Sequence, residues 1–384
     1  MKIMISAAEI SGDIHAANLV AEFQKIHPEA TFFGMGGAKM QAQGVRVLVD
    51  ITTTSTVGLL EPIKYLPKIY QAYQQMKKAL QKEKPDLLIV VDAQGFHMLL
   101  LKVAQKLGIK TVYYIAPQEW LWGTKKGGRK VVALTDKIIT IFPRAYDFYQ
   151  KLGADVVYVG HPLLDTVKTK VSKTEFYQKH HLDQDKKILT VFPGSRTQEI
   201  KYTFPVLLQA AKKILQSYPQ LQIIVSIVNP KFEGKIKEKV AKSGLSNVIF
   251  HTHMSSCDLI AHTYLSLTPS GTITLEHAIL QTPCIVAYRF SHISYMLLKL
   301  VARKLYERVK YISLPNQIMN QLIIPEFVQD AATPDALAKE AFKILDDETE
   351  YQNFKEKLST IKAKLGTPGV VQRAAKAVFI RDEC

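Results

Sequence analysis

The sequence predicts an α/β protein built from two doubly wound, Rossmann-like domains, each a parallel sheet with helices on both faces. Three observations lead there. A short apolar run, a turn rich in Gly or Pro and a helical period recur through the first half of the chain, the pattern of successive βα units. Several of the runs, Leu87–Val91 most clearly, are apolar throughout instead of alternating, as a strand covered on both faces requires. After Gly160-His161-Pro162 the chain turns polar and Lys-rich until about residue 187, where the pattern restarts, and 384 residues exceed what one core usually organises.

In order, residues 2–6 read as a strand, 13–26 as a helix, and 31–34 as a second strand followed by 39–44. Leu87–Val91 follows Pro85-Asp86, and 111–115 and 137–142 continue the strand series, with helical segments at 98–107 and 144–152. In the second domain 188–192, 222–228, 248–251, 264–267 and 284–287 read as strands, with helices such as 204–216 and 274–280 between them. The expected domains are 1–165 and 166–344, with the helices from about 345–384 free to pack back on the first. In open parallel sheets ligands sit at the carboxyl ends of strands, so the loops after those strands are where function is sought.

Charge narrows the partners. Fifty Lys and Arg against 34 Asp and Glu give a formal +16, while 47% hydrophobic and 22% charged residues fit a globular protein and neither a disordered nor a fibrous one. A positive surplus concentrates anions, so nucleic acid, an anionic membrane and phosphorylated substrates all fit. The three cysteines, Cys257, Cys284 and Cys384, show no C-x-x-C spacing, which argues against a disulfide framework and a structural zinc site and suits a reducing cytoplasm. Residues 1–13 do not read as a signal peptide, and no apolar run reaches the length of a membrane span, so any membrane contact is expected to be peripheral. No G-K-[ST] follows a Gly-rich loop, and no helix-turn-helix, zinc-finger or RNP-like pattern occurs, which disfavours nucleic acid.

Two turns suit phosphate. Pro193-Gly194-Ser195-Arg196 follows an apolar run and places a guanidinium at a strand's carboxyl end, where its planar fork can give two charge-assisted hydrogen bonds; the alternative is a solvated surface Arg. Ser270-Gly271-Thr272 opens the helix carrying Glu276, offering unpaired N–H groups and the positive dipole end to a pyrophosphate, with Glu276 one turn on for a ribose diol. An ordinary Ser/Thr cap with a Glu near N3 is the competing reading.

In the first domain, Glu9, Ser11 and Asp13 follow the first strand, in a turn suited to a sugar hydroxyl or to proton transfer, or else to helix capping. Gly34-Met35-Gly36-Gly37 is a turn of weaker meaning. Asp92 ends the buried strand, where burial would raise its pKa toward that of a useful base; capping of the next helix is the alternative. His251, His253, Cys257 and His262 match no zinc spacing and are read as a non-metal cluster. Residues 293–311 place Met296, Leu297, Leu300, Val301 and Leu305 on one helical stripe flanked by Lys299, Arg303, Lys304, Arg308 and Lys310, as a helix lying on an anionic membrane would. Leu59, Leu60 and Leu66, with Lys68, Lys77 and Lys78, form a second apolar and basic patch. Each also reads as an amphipathic helix packed on its own domain.

Collected, these fragments resemble the lipid-A-disaccharide synthases, glycosyltransferases of family 19 with the GT-B fold of two Rossmann-like domains facing a cleft. The family's A-G-E-x-S-G-D is similar to residues 7–13, its G-x-G-G-x-x-M to 34–40, its P-x-x-W-x-W to 117–122 and its G-H-P to 160–162. Its P-G-S-R, S-G-T-x-T-L-E and Y-x-S-L-P-N match 193–196, 270–276 and 311–316, with Pro325-Glu326 and Gln329 in the tail.

The resemblance implies inverting transfer of 2,3-diacylglucosamine from UDP to the 6-hydroxyl of 2,3-diacylglucosamine 1-phosphate (lipid X), without cofactor or metal. It makes the first domain the acceptor side and the second the UDP-sugar side. It implies Arg196, Ser270, Gly271 and Thr272 at the departing UDP, Glu276 on the ribose, Asn316 and Glu326 completing the donor pocket, and Glu9 and Ser11 on the sugar side. Peripheral association with the cytoplasmic face of the inner membrane fits, and a homodimer is left open. Some members read D-x-P-D-F-N after the buried strand, where this chain has Asp92-Ala93-Gln94-Gly95-Phe96-His97. Gly95 removes the second carboxylate, leaving Asp92 the first choice for the base, with Glu9 and His97 behind it. Alternatives are another GT-B enzyme of UDP-sugars, such as a UDP-N-acetylglucosamine 2-epimerase or a transferase to a different lipid, and a nucleotide-sugar or membrane-binding protein without catalysis.

Overall fold

The computed structural model describes residues 1–52, 66–121, 123–252, 255–291, 295–296 and 310–379. Two compact units divide the chain: Met1–Asp165 with Leu365–Cys384, and Thr166–Lys364. Helix Glu348–Lys364 therefore falls in the second unit, and the return to the first begins at Leu365 instead of near residue 345.

The strands of unit 1 are β1 (Lys2–Ala7), β2 (Thr31–Met35), β3 (Arg46–Val49), β4 (Leu87–Val91), β5 (Lys110–Tyr114), β6 (Lys137–Thr140) and β7 (Val156–Tyr158). They form a parallel sheet in the order β3-β2-β1-β4-β5-β6-β7. Unit 2 carries β8 (Ile188–Val191), β9 (Gln222–Ile227), β10 (Ile249–Thr252), β11 (Leu265–Thr268), β12 (Cys284–Tyr288) and β13 (Glu326–Val328), parallel in the order β10-β9-β8-β11-β12-β13. The central strands were legible from the sequence, β4 most clearly as an unbroken apolar run, with its Leu88, Ile89, Val90 and Val91 at 0% exposure. The strands not read from the sequence, β3, β7 and β13, are short edge strands whose residues are mostly half-buried. Each has a neighbour on one edge only and is not buried throughout, so the continuous apolar signature is missing.

In both sheets the order reverses beside the first strand. Ala7 of β1 pairs with Val91 of β4, and Val191 of β8 is followed by a turn that leaves beside the one after Leu267 of β11, its own pairing partner. Connections from such neighbours run to opposite faces and leave a crevice between them. In unit 1 the approach of β2 to β1 depends on Gly34, at φ 151°, where a Cβ would stand 1.9 Å from the Ile5 carbonyl oxygen. The returning helix Val370–Ala377 packs against helix Ile10–Ile26. Asp165 accepts the Gly369 and Val371 N–H groups at 2.6 and 3.0 Å, and Phe379 stacks on Phe23 at 5.4 Å.

Helix Ile10–Ile26 begins three residues earlier than expected, with Glu9 in the capping position and no side-chain cap. Asp13, read as suited to a sugar hydroxyl or proton transfer with capping of its own helix as the alternative, caps the next helix instead. Its carboxylate, 4% exposed, accepts the Gly37, Lys39 and Met40 N–H groups at 2.8, 3.0 and 3.1 Å, closing the amino end of helix Ala38–Ala42. Asp13→Ala leaves these donors without acceptors and is expected to lower unfolding stability by about 2–3 kcal/mol, read as a fall in the denaturant midpoint at constant slope.

Candidate active site

In unit 2 the crevice at the switch point holds a cavity of about 230 Å³ lined by both phosphate-type turns, by Glu199 and Ser256 and by Glu276. The first turn leaves β8 through Gly194, at φ 99°, a conformation that a side chain would strain. A Cβ there would also stand 2.4 Å from the Glu199 carboxylate, the group that shapes the turn. Glu199 is 3% exposed. Its Oε2 accepts the Ser195 and Arg196 N–H groups at 2.8 and 3.2 Å, and its Oε1 lies 3.1 Å from Arg196 Nη1. Arg196 is thus steered by one of its nitrogens while its side chain stays 48% exposed and open to an anion. Tyr288 borders the pair: burial first, and then Glu199, raise its phenol, while the Arg196 guanidinium opposes them. Sequence reasoning missed Glu199, although a carboxylate three residues beyond an Arg in a turn was a readable signal. It opens the π-helical turn Glu199–Thr203, an irregularity frequent at functional sites.

Across the cavity, helix Ile273–Leu280 starts with Thr272 in the capping position and no side-chain cap. The Ser/Thr capping arrangement is therefore absent. The first turn's bonds begin with the Thr274 N–H to the Gly271 carbonyl, leaving the N–H groups of Gly271, Thr272 and Ile273 without a backbone acceptor there. Glu276 accepts Ser256 Oγ at 2.8 Å. Burial raises its carboxyl above the usual range, and the Ser256 bond works against that rise.

Three residues expected at the donor are committed elsewhere. Ser270 Oγ donates to the Ile312 carbonyl at 2.8 Å, so its hydroxyl ties the turn to the 311–313 segment. Glu326 accepts the Ile312 and Ser313 N–H groups at 2.8 and 2.9 Å. Asn316, at 0% exposure, donates to the Ile324 carbonyl and to Glu326 at 2.7 and 3.0 Å and accepts the Ile323 and Ile324 N–H groups at 2.8 and 2.9 Å. Neither Asn316 nor Glu326 lines the cavity. Both act one step back, by holding the segment that holds Ser270.

In unit 1, Asp92 follows β4 with φ 54°, and Ala93 follows it with φ 45°. The Asp92 carbonyl accepts Tyr113 Oη at 2.8 Å and His97 Nδ1 at 2.7 Å. Burial lifts the Asp92 carboxyl above the usual carboxylate range, opposed by a hydrogen bond from the Ala93 N–H. His97, the third choice for a base, does not reach solvent. It is 0% exposed, and with Nδ1–H donating to Asp92, Nε2 accepts Ser6 Oγ at 3.0 Å. Burial brings its pKa down to about 4, so it stays a neutral strut for the Asp92 turn. A Cβ on Gly95 would meet nothing within 4 Å, so the place of the missing carboxylate is open space. Glu9 is half-buried at the helix start and Ser11 is exposed in its first turn.

The histidine cluster has another use. His251 Nδ1 lies 3.3 Å from His180 Nε2, and His262 Nε2 lies 2.8 Å from the Val171 carbonyl oxygen; His253 is outside the described residues. Calorimetry with UDP tests the cavity: Arg196→Ala and Glu199→Ala are each expected to weaken binding about tenfold or more, the first by removing the cation and the second by releasing its turn.

Residues 3–379 match the family model described as lipid-A-disaccharide synthetase. Curated relatives include the lipid-A-disaccharide synthases of Geobacter metallireducens, 37% identical with 98% of this chain and 96% of the relative covered, and of Geobacter sulfurreducens, 35% identical at the same coverage. Among solved structures, the UDP-GlcNAc 2-epimerase of Neisseria meningitidis bound to UDP-GlcNAc aligns at a TM-score of 0.63 and 12% identity, covering 98% of this chain and 99% of that one. The UDP-GlcNAc 2-epimerase of Methanocaldococcus jannaschii in complex with UDP-GlcNAc and UDP aligns at 0.61 and 14%, covering 98% and 99%. At such identity these share the fold, GT-B, while the family match spans nearly the whole sequence. The chain belongs to the lipid-A-disaccharide synthase family of glycosyltransferases.

Proposed function

We propose that the protein transfers 2,3-diacylglucosamine from UDP-2,3-diacylglucosamine to the 6-hydroxyl of 2,3-diacylglucosamine 1-phosphate, forming β-1,6-linked lipid A disaccharide 1-phosphate and UDP. The observation that carries this reading is the facing of Arg196 and an uncapped helix amino end across one cavity, in a chain of this family. The solved relatives named with UDP-GlcNAc or UDP support a uridine diphosphate sugar as donor.

The chemistry follows from charge. Asp92 takes the proton of the acceptor hydroxyl, whose oxygen attacks the anomeric carbon from the face opposite UDP. The bond from that carbon to the diphosphate oxygen breaks with its electron pair going to UDP, which inverts the centre. Arg196 and the N–H groups of Gly271, Thr272 and Ile273 stabilise the charge arriving on the diphosphate. Glu276 accepts from the ribose hydroxyls. Glu9 and Ser11 serve the sugar side, and Asn316 and Glu326 support the donor turn through Ser270.

The acylated substrates come from a bilayer, and the reading includes peripheral association with the anionic cytoplasmic face of the inner membrane. Among the described residues no helix is long and apolar enough to cross a membrane. Leu66 and Met296 are 55% and 62% exposed. Helices Leu66–Glu83 and Gln94–Lys106 border a groove of about 340 Å³ in which Leu99, Val103 and Leu107 lie among Lys77, Lys102 and Lys106, with no acidic side chain in the lining. Such a surface suits acyl methylenes beside phosphate. The other residues expected there, Leu59, Leu60, Lys299, Leu300 and Arg303, lie outside the described residues.

Incubation with both substrates is expected to yield the disaccharide phosphate by mass spectrometry; UDP binding without product would overturn the transferase reading. Because the base works ionised and burial raises its pKa, kcat is expected to decline with falling pH from above the ordinary carboxylate range, and Asp92→Asn is expected to remove about 10²–10⁴ of the rate. Sedimentation with anionic vesicles is expected to weaken with salt and with Lys77→Glu plus Lys102→Glu or Lys299→Glu plus Arg303→Glu. Equal binding to zwitterionic vesicles would count against the membrane reading.

A further inference from the structure

Asp92 and Ala93 are consecutive non-glycine residues in the left-handed region. Each such residue is strained and persists only where its surroundings over-determine it. On the Asp92 side, Tyr113 and His97 hold the carbonyl. On the Ala93 side no side chain caps the helix that begins at Gln94. A Pro at this first helical position would fix φ, and Gln leaves it free.

The restraint there comes from the Gln94 side chain, whose Nε2 donates to Glu119 Oε1. Glu119 Oε2 accepts the Thr124 N–H at 2.9 Å, and Thr124 in turn caps helix Lys125–Val132 by accepting the Gly127 N–H at 3.0 Å. Only 9% of Glu119 is exposed. The space it fills is left by two glycines: a Cβ on Gly123 would stand 1.6 Å from its Oε2, and one on Gly127 2.4 Å. A carboxylate drawn out of water and given donors on both oxygens stays where those donors are.

We propose that Gln94 and Glu119 are positioning residues for Asp92: their hydrogen bond fastens the helix start to Glu119 and, through it, to Thr124, and keeps the Asp92–Ala93 turn left-handed. This rests on the reading of Asp92 as the base. Neither side chain touches substrate in this role, so its loss falls on the reacting geometry and leaves UDP binding in unit 2 alone.

The test is a set of variants assayed for kcat, donor KM, UDP affinity and pH profile. Gln94→Ala is expected to lower kcat about tenfold with donor KM and UDP affinity within about twofold of wild type, and with the acid limb of the profile unmoved, because no charge has changed. Gln94→Glu sets a second carboxylate against Glu119 with no donor between them, and is expected to lower kcat at least as far. The exchange Gln94→Glu with Glu119→Gln restores the bond with donor and acceptor reversed, and is expected to recover most of kcat. If either single variant unfolds, Gly127→Ala, which displaces Glu119 by one methyl, is expected to reproduce the kcat loss. Wild-type kcat in the single variants, or no recovery in the exchange while UDP binding is intact, overturns the positioning role. Full activity in Asp92→Asn would instead sink the base itself and the proposal with it, which separates the two failures.

Discussion

Two neighbouring strands of a parallel sheet whose connections leave toward opposite faces cannot close the space between their carboxyl ends. Every chemically capable group discussed above depends on that constraint. Ala7 and Val91 are register partners, so the Glu9 turn and Asp92 emerge side by side. Val191 and Leu267 are register partners too, so Arg196 and the Gly271 turn face one cavity. The strands are rigid because they are buried on both faces, and the turns inherit that rigidity where they begin. Beyond the first residue or two, each turn needs its own restraint.

Buried and half-buried carboxylates supply much of that restraint. Asp13 holds the 37–40 turn, Glu199 the Ser195-Arg196 turn, Glu326 the Ile312-Ser313 segment, Asp165 the start of the last helix and Glu119 the loop near Gln94. A backbone N–H in a loop has no ladder partner, and an ionised acceptor makes the stronger bond. This use of acids also sharpens the meaning of the charge balance. Several of the 34 acidic residues are turned inward to hold backbone, so fewer carboxylates stand at the surface among the basic residues than the composition suggests. Lys77, Lys102 and Lys106 around an apolar groove are one place where the surplus collects.

Local and distant order in the chain contributed unequally. The apolar runs of β1, β4, β8 and β11, the Gly-Ser turn before Arg196 and the turn before helix Ile273–Leu280 are local patterns, and each was legible. So was the placing of Asp92, Arg196 and Glu276 just after a central strand or in the first turn of a helix, because such a position is itself a local property. The edge strands β3, β7 and β13 were not legible, since a strand with one neighbour need not be apolar throughout, although β10, also at an edge, was.

What the sequence by itself determined is therefore the two doubly wound sheets, their central strands and the residue types standing at their carboxyl ends. The tertiary structure decided which polar groups remain available. His97 stood as a third choice for the base until Ser6, 91 residues away, took one of its nitrogens and the Asp92 carbonyl the other. Asn316 and Glu326 looked like ligand contacts until their donors and acceptors proved to be filled by backbone. Glu199 and Glu119 drew no reading from the sequence, and burial makes them the pins of two turns. Whether a side chain is free to meet a substrate depends on partners brought together only by folding, and no periodicity in the chain encodes that pairing.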